Sequence, residues 1–226
     1  MTNALILAGG RGARIGADLP KQFIQIKGKP ILVYTLEAFQ RHPAIEKIAV
    51  VSIEGWENKV WDYASQFHIS KLEKVVVGGN TALESTRIGI QALNCDDDDI
   101  LVIHDGVRPL VDEKTITNVI TDCQRYGGAI SSIPLIEHVF FKGDKETDLH
   151  YIPRENAYRT VTPQAYTGAK IRRAFRKSDE TGIGANAPFI GIMMVDLGEP
   201  VCLSKGSEEN VKITDPKDIN YFKSLF

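Results

Sequence analysis

Short, dense apolar runs alternate with amphipathic stretches along the chain, and this rhythm restricts its fold more than any other feature. Residues 4–8, 45–51, 74–77 and 100–103 are such runs, with glycines or acidic clusters at several of their ends, and they read as buried strands. Between them, Ile31, Tyr34, Leu36 and Phe39 recur at near-helical spacing behind Pro30, and 56–67 and 83–93 repeat the pattern. A run that is apolar along its length needs cover on both faces, so the order βαβαβα predicts an α/β fold with a mostly parallel central sheet. The pattern continues with a helix over 114–126, a strand over 129–134, a helix over 167–178, a strand over 200–203 and a last helix opened by Asp215-Pro216. At 226 residues the chain is expected to form a single domain, 1–226.

The first run leads into Gly9-Gly10-Arg11-Gly12-Ala13-Arg14-Ile15-Gly16, with Lys21 just beyond. Such a loop lets main-chain N–H groups approach phosphate oxygens while Arg11, Arg14 and Lys21 add charge; it also serves as a plain connector in many α/β proteins. Two familiar phosphate loops fail on register. Ala17 and Asp18 follow Gly16 where a Walker loop needs Lys-Ser/Thr, and Ile15 stands where the dinucleotide fingerprint needs its third glycine.

A formal net charge of -2 with 25% charged residues gives no global pull toward nucleic acid or an anionic membrane, so any anion site is local. No run of roughly 18 apolar residues occurs, and nothing targets the chain to a membrane or to export. Three widely spaced cysteines, Cys95, Cys123 and Cys202, suit a reducing cytoplasm rather than a disulfide framework. Asp96 to Asp99 reads as a solvated turn. Asp105 follows a dense run, at the carboxyl end of a central strand where open α/β sheets hold ligands. Residues 135–159 break the rhythm and carry Phe140, Phe141 and Tyr151; they read as a protruding β-arm whose aromatics call for cover by a second subunit. The basic stretch from Lys170 to Lys177 reads as a solvated face.

Six motifs in order, LAGGRGARIG with LPKQF at 7–23, GKPIL at 28–32, VGG at 77–79, IHDGVRP at 103–109, TPQAY at 162–166 and NVKITDPKDI at 210–219, make the chain resemble the cytidylyltransferases that form CDP-alcohols. These are the 2-C-methyl-D-erythritol 4-phosphate and ribitol 5-phosphate enzymes. The resemblance implies a Rossmann-like fold of the nucleotide-diphospho-sugar transferase type and transfer of CMP from CTP to a small polyol phosphate, with Mg2+ held by Asp105 and triphosphate oxygens. It assigns Lys21, Arg14 and Lys212 to catalysis. It places Leu7, Ala8, Gly9, Gly10, Arg11, Gly12, Gly79, Asn80, Ser85 and Asp105 around the nucleotide. It places Asp105, Arg108, His138, Arg154 and Thr162 around the acceptor, with Arg154 crossing from the partner of a homodimer joined through the arm.

The chain departs from the family in three places. Ala82 stands where an arginine is common, Gly184-Ala185-Asn186-Ala187 replaces a Thr-Asp-Asp-Ala stretch, and His138 replaces a threonine. The opening Leu-Ala-Gly-Gly and Trp56 lean toward the ribitol 5-phosphate branch. Two other functions fit the same pattern: a nucleotide-sugar-dependent glycosyltransferase, and a CTP sensor without chemistry.

Overall fold

The computed structural model describes residues 1–10 and 19–226. Arg11, Gly12 and Arg14 lie outside the described residues. Strands β1 (Thr2–Ala8), β4 (Lys47–Ser52), β5 (Leu72–Val77) and β6 (Ile100–Asp105) run parallel, linked through helices α1 (Ile31–Arg41), α2 (Glu57–Gln66) and α3 (Ala82–Leu93). Two short strands, β2 (Gln25–Ile26) and β3 (Lys29–Pro30), form a hairpin before α1. The chain continues through α4 (Glu113–Tyr126), β7 (Gly128–Pro134), the β8 (Val139–Lys142) and β9 (Leu149–Ile152) hairpin, and β10 (Tyr158–Thr167). It ends with α5 (Gly168–Thr181), α6 (Ile190–Asp196), β11 (Cys202–Lys205) and α7 (Pro216–Ser224).

The main sheet has the order β11-β7-β10-β6-β1-β4-β5. All its neighbours are parallel except β10, which runs antiparallel to both β6 and β7. Alternation along β1 divides the core. Ala4, Ile6 and Ala8 face α1, α2 and α4, whereas Leu5 packs in the other layer with residues of α3, α5 and α6. In the second layer Gly89 lets α3 lie close to the sheet: a Cβ there would stand 2.3 Å from a Leu5 methyl carbon and 2.9 Å from one of Val51. On the sheet's rim α7 packs Ile219 and Phe222 against Ile26 and Ile31.

Several expectations change in detail. The arm returns to the sheet sooner than expected, since Tyr158 and Arg159 already pair in β10. The Asp96 to Asp99 turn is not wholly solvated: Asp99 is buried and accepts hydrogen bonds from the Met1 amino group at 2.6 Å and the Asp96 N–H at 2.9 Å. The basic side chains of α5 are largely clasps. Lys170 and Lys177 donate to the carbonyls of Pro200 and Leu197, while Arg172 and Arg173 pair with Asp97 and Glu199. Among the described residues no helix is long and apolar enough to cross a membrane.

Candidate active site

Strand order reverses direction at β1 and β6, and at such a point the carboxyl ends of parallel strands leave a crevice. Leu7 and Asp105 are register partners there. Two adjoining clefts open from it and share Leu7, Ala82, Asp105 and Lys212 as a common wall. The first, about 240 Å³, is bordered by Gly9, Gly10, Lys21, Asn80 and Ser85. The second, about 210 Å³, is bordered by Arg108, Thr162, Gln164 and Phe189.

Local chemistry fixes the walls of the first cleft. Thr81 and Glu84 form a capping box at the start of α3, and Glu84 Oε2 also accepts the Asn80 N–H at 2.7 Å. Ser85 Oγ accepts the Gly79 N–H at 3.1 Å, so the hydroxyl expected beside the nucleotide also ties the glycine turn to α3. Gln22 is buried and donates from Nε2 to the carbonyls of Ala8 and Gly10, joining the Lys21–Phe23 turn to the end of β1. At Gly10 an added Cβ would meet nothing within 4 Å among the described residues.

Charge concentrates on the shared wall. Asp105 Oδ2 accepts from Arg108 Nε at 2.9 Å and lies 3.2 Å from Lys212 Nζ. Burial works to raise the Asp105 carboxyl pKa, but the charges of Lys212 and Arg108 outweigh it and hold the group below its ordinary range. Arg108 Nη1 reaches the Asn210 carbonyl at 2.8 Å, and Asn210 Nδ2 reaches that of Thr162 at 2.7 Å. Lys21 Nζ donates to the Ile213 carbonyl at 3.1 Å. One short segment, 210–213, is therefore held from both clefts: Lys21 bonds one of its residues while the adjacent Lys212 pairs with Asp105. Beneath this array His104 is fully buried, with Nε2 3.1 Å from the Arg108 carbonyl, and burial lowers its pKa to about 4.

Leu7, Ala8, Gly9, Gly10, Lys21, Gly79, Asn80, Ser85, Asp105, Arg108, Thr162 and Lys212 are thus gathered at one crevice, as their assignment requires. His138 and Arg154 are exposed on the arm and border neither cleft within one chain. Gln22 and Gln164 border the clefts but carried no signal of their own, since a polar residue inside a motif says nothing of which way it faces. Ala82, a departure from the family pattern, sits on the shared wall. Among the described residues no group of three or more His, Cys, Asp or Glu is placed to hold a metal ion. The lone carboxylate of the wall suits a hard cation that arrives on phosphate oxygens, not a caged resident one.

Fold and crevice are those of a nucleotidyltransferase of the α/β class, with two clefts joined by the wall that carries the Asp105 and Lys212 ion pair. The chain belongs to the IspD, 2-C-methyl-D-erythritol 4-phosphate cytidylyltransferase family, whose model matches residues 2–225. It is 41% identical to a ribitol-5-phosphate cytidylyltransferase of Lacticaseibacillus paracasei, over 99% of this chain and 97% of that one. It is 35% identical to a 2-C-methyl-D-erythritol 4-phosphate cytidylyltransferase of Clostridium acetobutylicum, over 100% and 97%. A solved structure, 4-diphosphocytidyl-2C-methyl-D-erythritol synthase from Anaerococcus prevotii, superposes with a TM-score of 0.83 at 24% identity, covering 99% of this chain and 95% of that one, and shows the shared fold.

Proposed function

We propose that this protein transfers CMP from CTP to ribitol 5-phosphate, forming CDP-ribitol and pyrophosphate. The observation that carries the reading is the pair of clefts sharing the Asp105 and Lys212 wall, with Lys21 bordering the first. A nucleotide in the first cleft and a polyol phosphate in the second would meet at that wall. An acceptor phosphate oxygen attacks the α-phosphorus, the bond to the β-phosphate oxygen breaks, and pyrophosphate leaves. The attacking phosphate is already ionised, so no general base is needed; the demand is for positive charge around the reacting phosphorus. Lys21 and Lys212 supply it, with Arg14 on the departing pyrophosphate, while Asp105 orients Arg108 and Lys212. Mg2+, held by Asp105 and the triphosphate, would neutralise phosphate charge.

The relative from Lacticaseibacillus paracasei supports ribitol 5-phosphate as first choice of acceptor. The arm supports a homodimer: Phe140 is 61% and Tyr151 67% exposed on the β8–β9 hairpin, apolar area that a second copy would cover while bringing Arg154 and His138 to its partner's second cleft. The test is pyrophosphate release from CTP with ribitol 5-phosphate and 2-C-methyl-D-erythritol 4-phosphate in parallel. A higher kcat/KM for the second acceptor overturns the choice, and CTP binding without turnover on either favours the sensor.

A further inference from the structure

The floor of the second cleft carries a polar group that the reaction scheme leaves unused. Gln164, on β10, is 4% exposed and pairs in register with Ile103, two residues before Asp105. It lies roughly 7 Å along the strands from the charged wall. Its Oε1 accepts a hydrogen bond from the Tyr166 hydroxyl at 2.9 Å. Tyr166 is fully buried, and burial pushes its phenol pKa up, so the hydroxyl keeps its proton and needs an acceptor. Gln164 Oε1 is the acceptor that the described residues give it. This bond settles the orientation of the amide: oxygen toward Tyr166, NH2 away from it. Among the described residues Nε2 has no protein partner, and the side chain borders the cleft beside apolar Ile103, Phe189 and Ile190. Nε2 is not among the sealed, unpartnered side-chain atoms of the described residues, so it opens on the cleft as a donor that an oxygen of water or of a ligand can meet.

We infer that Gln164 is a specificity residue whose Nε2 donates a hydrogen bond to a hydroxyl oxygen on the carbon chain of the acceptor, so that the cleft selects a hydroxylated acceptor over its deoxy counterpart. The inference rests on the proposed polyol phosphate reading. Rim cations hold the acceptor by its phosphate, which any phosphorylated compound carries. Gln164 reads the chain below it.

The experiment uses the full chain with CTP, ribitol 5-phosphate and a set of monodeoxy ribitol 5-phosphates, and compares wild type with Gln164→Met and Gln164→Met/Tyr166→Phe. The double variant removes donor and acceptor together and leaves neither buried group unsatisfied, so it is expected to fold. Wild type is expected to lose about tenfold in kcat/KM on one deoxy analogue, the scale of one hydrogen bond. Both variants are expected to lose about tenfold on ribitol 5-phosphate itself, to treat it and that analogue alike, and to keep the wild-type KM for CTP. Undiminished discrimination in the variants, an equal loss on every acceptor, or a parallel rise in the KM for CTP overturns the assignment. Calorimetric binding of ribitol 5-phosphate separates the two readings. Binding that Gln164→Met weakens about tenfold, without turnover in wild type, supports the Gln164 assignment and overturns only the reaction. Absence of both binding and turnover overturns both.

Discussion

His104 allows a stability prediction worked from the fold. The ring is fully buried under the Asp105 and Arg108 turn, packs on Phe39 with centroids 5.1 Å apart, and gives Nε2 to the Arg108 carbonyl while Nδ1 has no hydrogen-bond partner among the described residues. Burial therefore holds the imidazole neutral, with its pKa lowered from 6.5 to about 4. Between these values the unfolded chain binds a proton that the folded chain refuses. The stabilisation is complete above pH 6.5, is lost progressively as pH falls toward about 4, and changes no further below that. At 1.36 kcal/mol per pKa unit the loss amounts to about 3 kcal/mol. His104→Gln keeps an amide donor for the Arg108 carbonyl and cannot titrate. Urea unfolding of both proteins from about pH 7.5 to about pH 4.5 cancels the carboxylates they share, so the wild-type advantage should shrink by about 2.5 kcal/mol over that range, most of the full loss. Parallel stability profiles would refute the reasoning, because they would mean that the imidazole charges as easily inside the fold as outside it.

Three further outcomes are expected. Lys21→Ala should lower kcat about 10^2 to 10^3-fold, the scale for one charge aimed at a transition state, and near wild-type pyrophosphate release would remove Lys21 from the chemistry. Arg154→Ala should raise the KM for the acceptor far more than that for CTP; an effect confined to CTP would show the arm to be misassigned. Gly89→Ala drives a Cβ into Leu5 and Val51 and should cost about 1–3 kcal/mol in thermal or urea unfolding, with an unchanged Tm counting against the close packing of α3.

The parts of the fold legible in the sequence are those where burial forces a regular pattern. β1, β4 and β6 are covered on both faces and stand out as apolar runs, and Asp105 is legible by its position at the end of one; β5, read as a buried strand from its valines, is instead the half-exposed edge of the sheet. β10 is not legible, because Pro163 interrupts it at a register irregularity and Thr160, Thr162 and Gln164 face a cleft instead of the core. α6 is a seven-residue helix behind a proline and too short to show a period. Lys21 and Lys212 are legible only through their motifs, since each is a lone lysine by composition. The contacts that place them, a hydrogen bond from Lys21 to the Ile213 carbonyl and an ion pair of Lys212 with Asp105, join residues far apart in sequence. Gln22 and Gln164 require the folded structure, for their roles depend on which atom of the amide faces which partner.

The reversed direction of β10 also bears on how such a protein can change. Most of the first cleft's wall comes from residues 7–107, with Lys212 joining from the far end, whereas the second cleft draws Thr162, Gln164 and Phe189 from beyond residue 150. Because β10 runs antiparallel to both β6 and β7, the whole excursion between β7 and β10 leaves and rejoins the sheet at the end where β6 finishes in Asp105. Its length and chemistry can drift without disturbing a parallel strand or the glycine turn. The two substrates are therefore separable only in part: the arm is at liberty to explore new acceptors, while Leu7, Asp105 and Lys212 border both clefts and tie any such change to the activated donor.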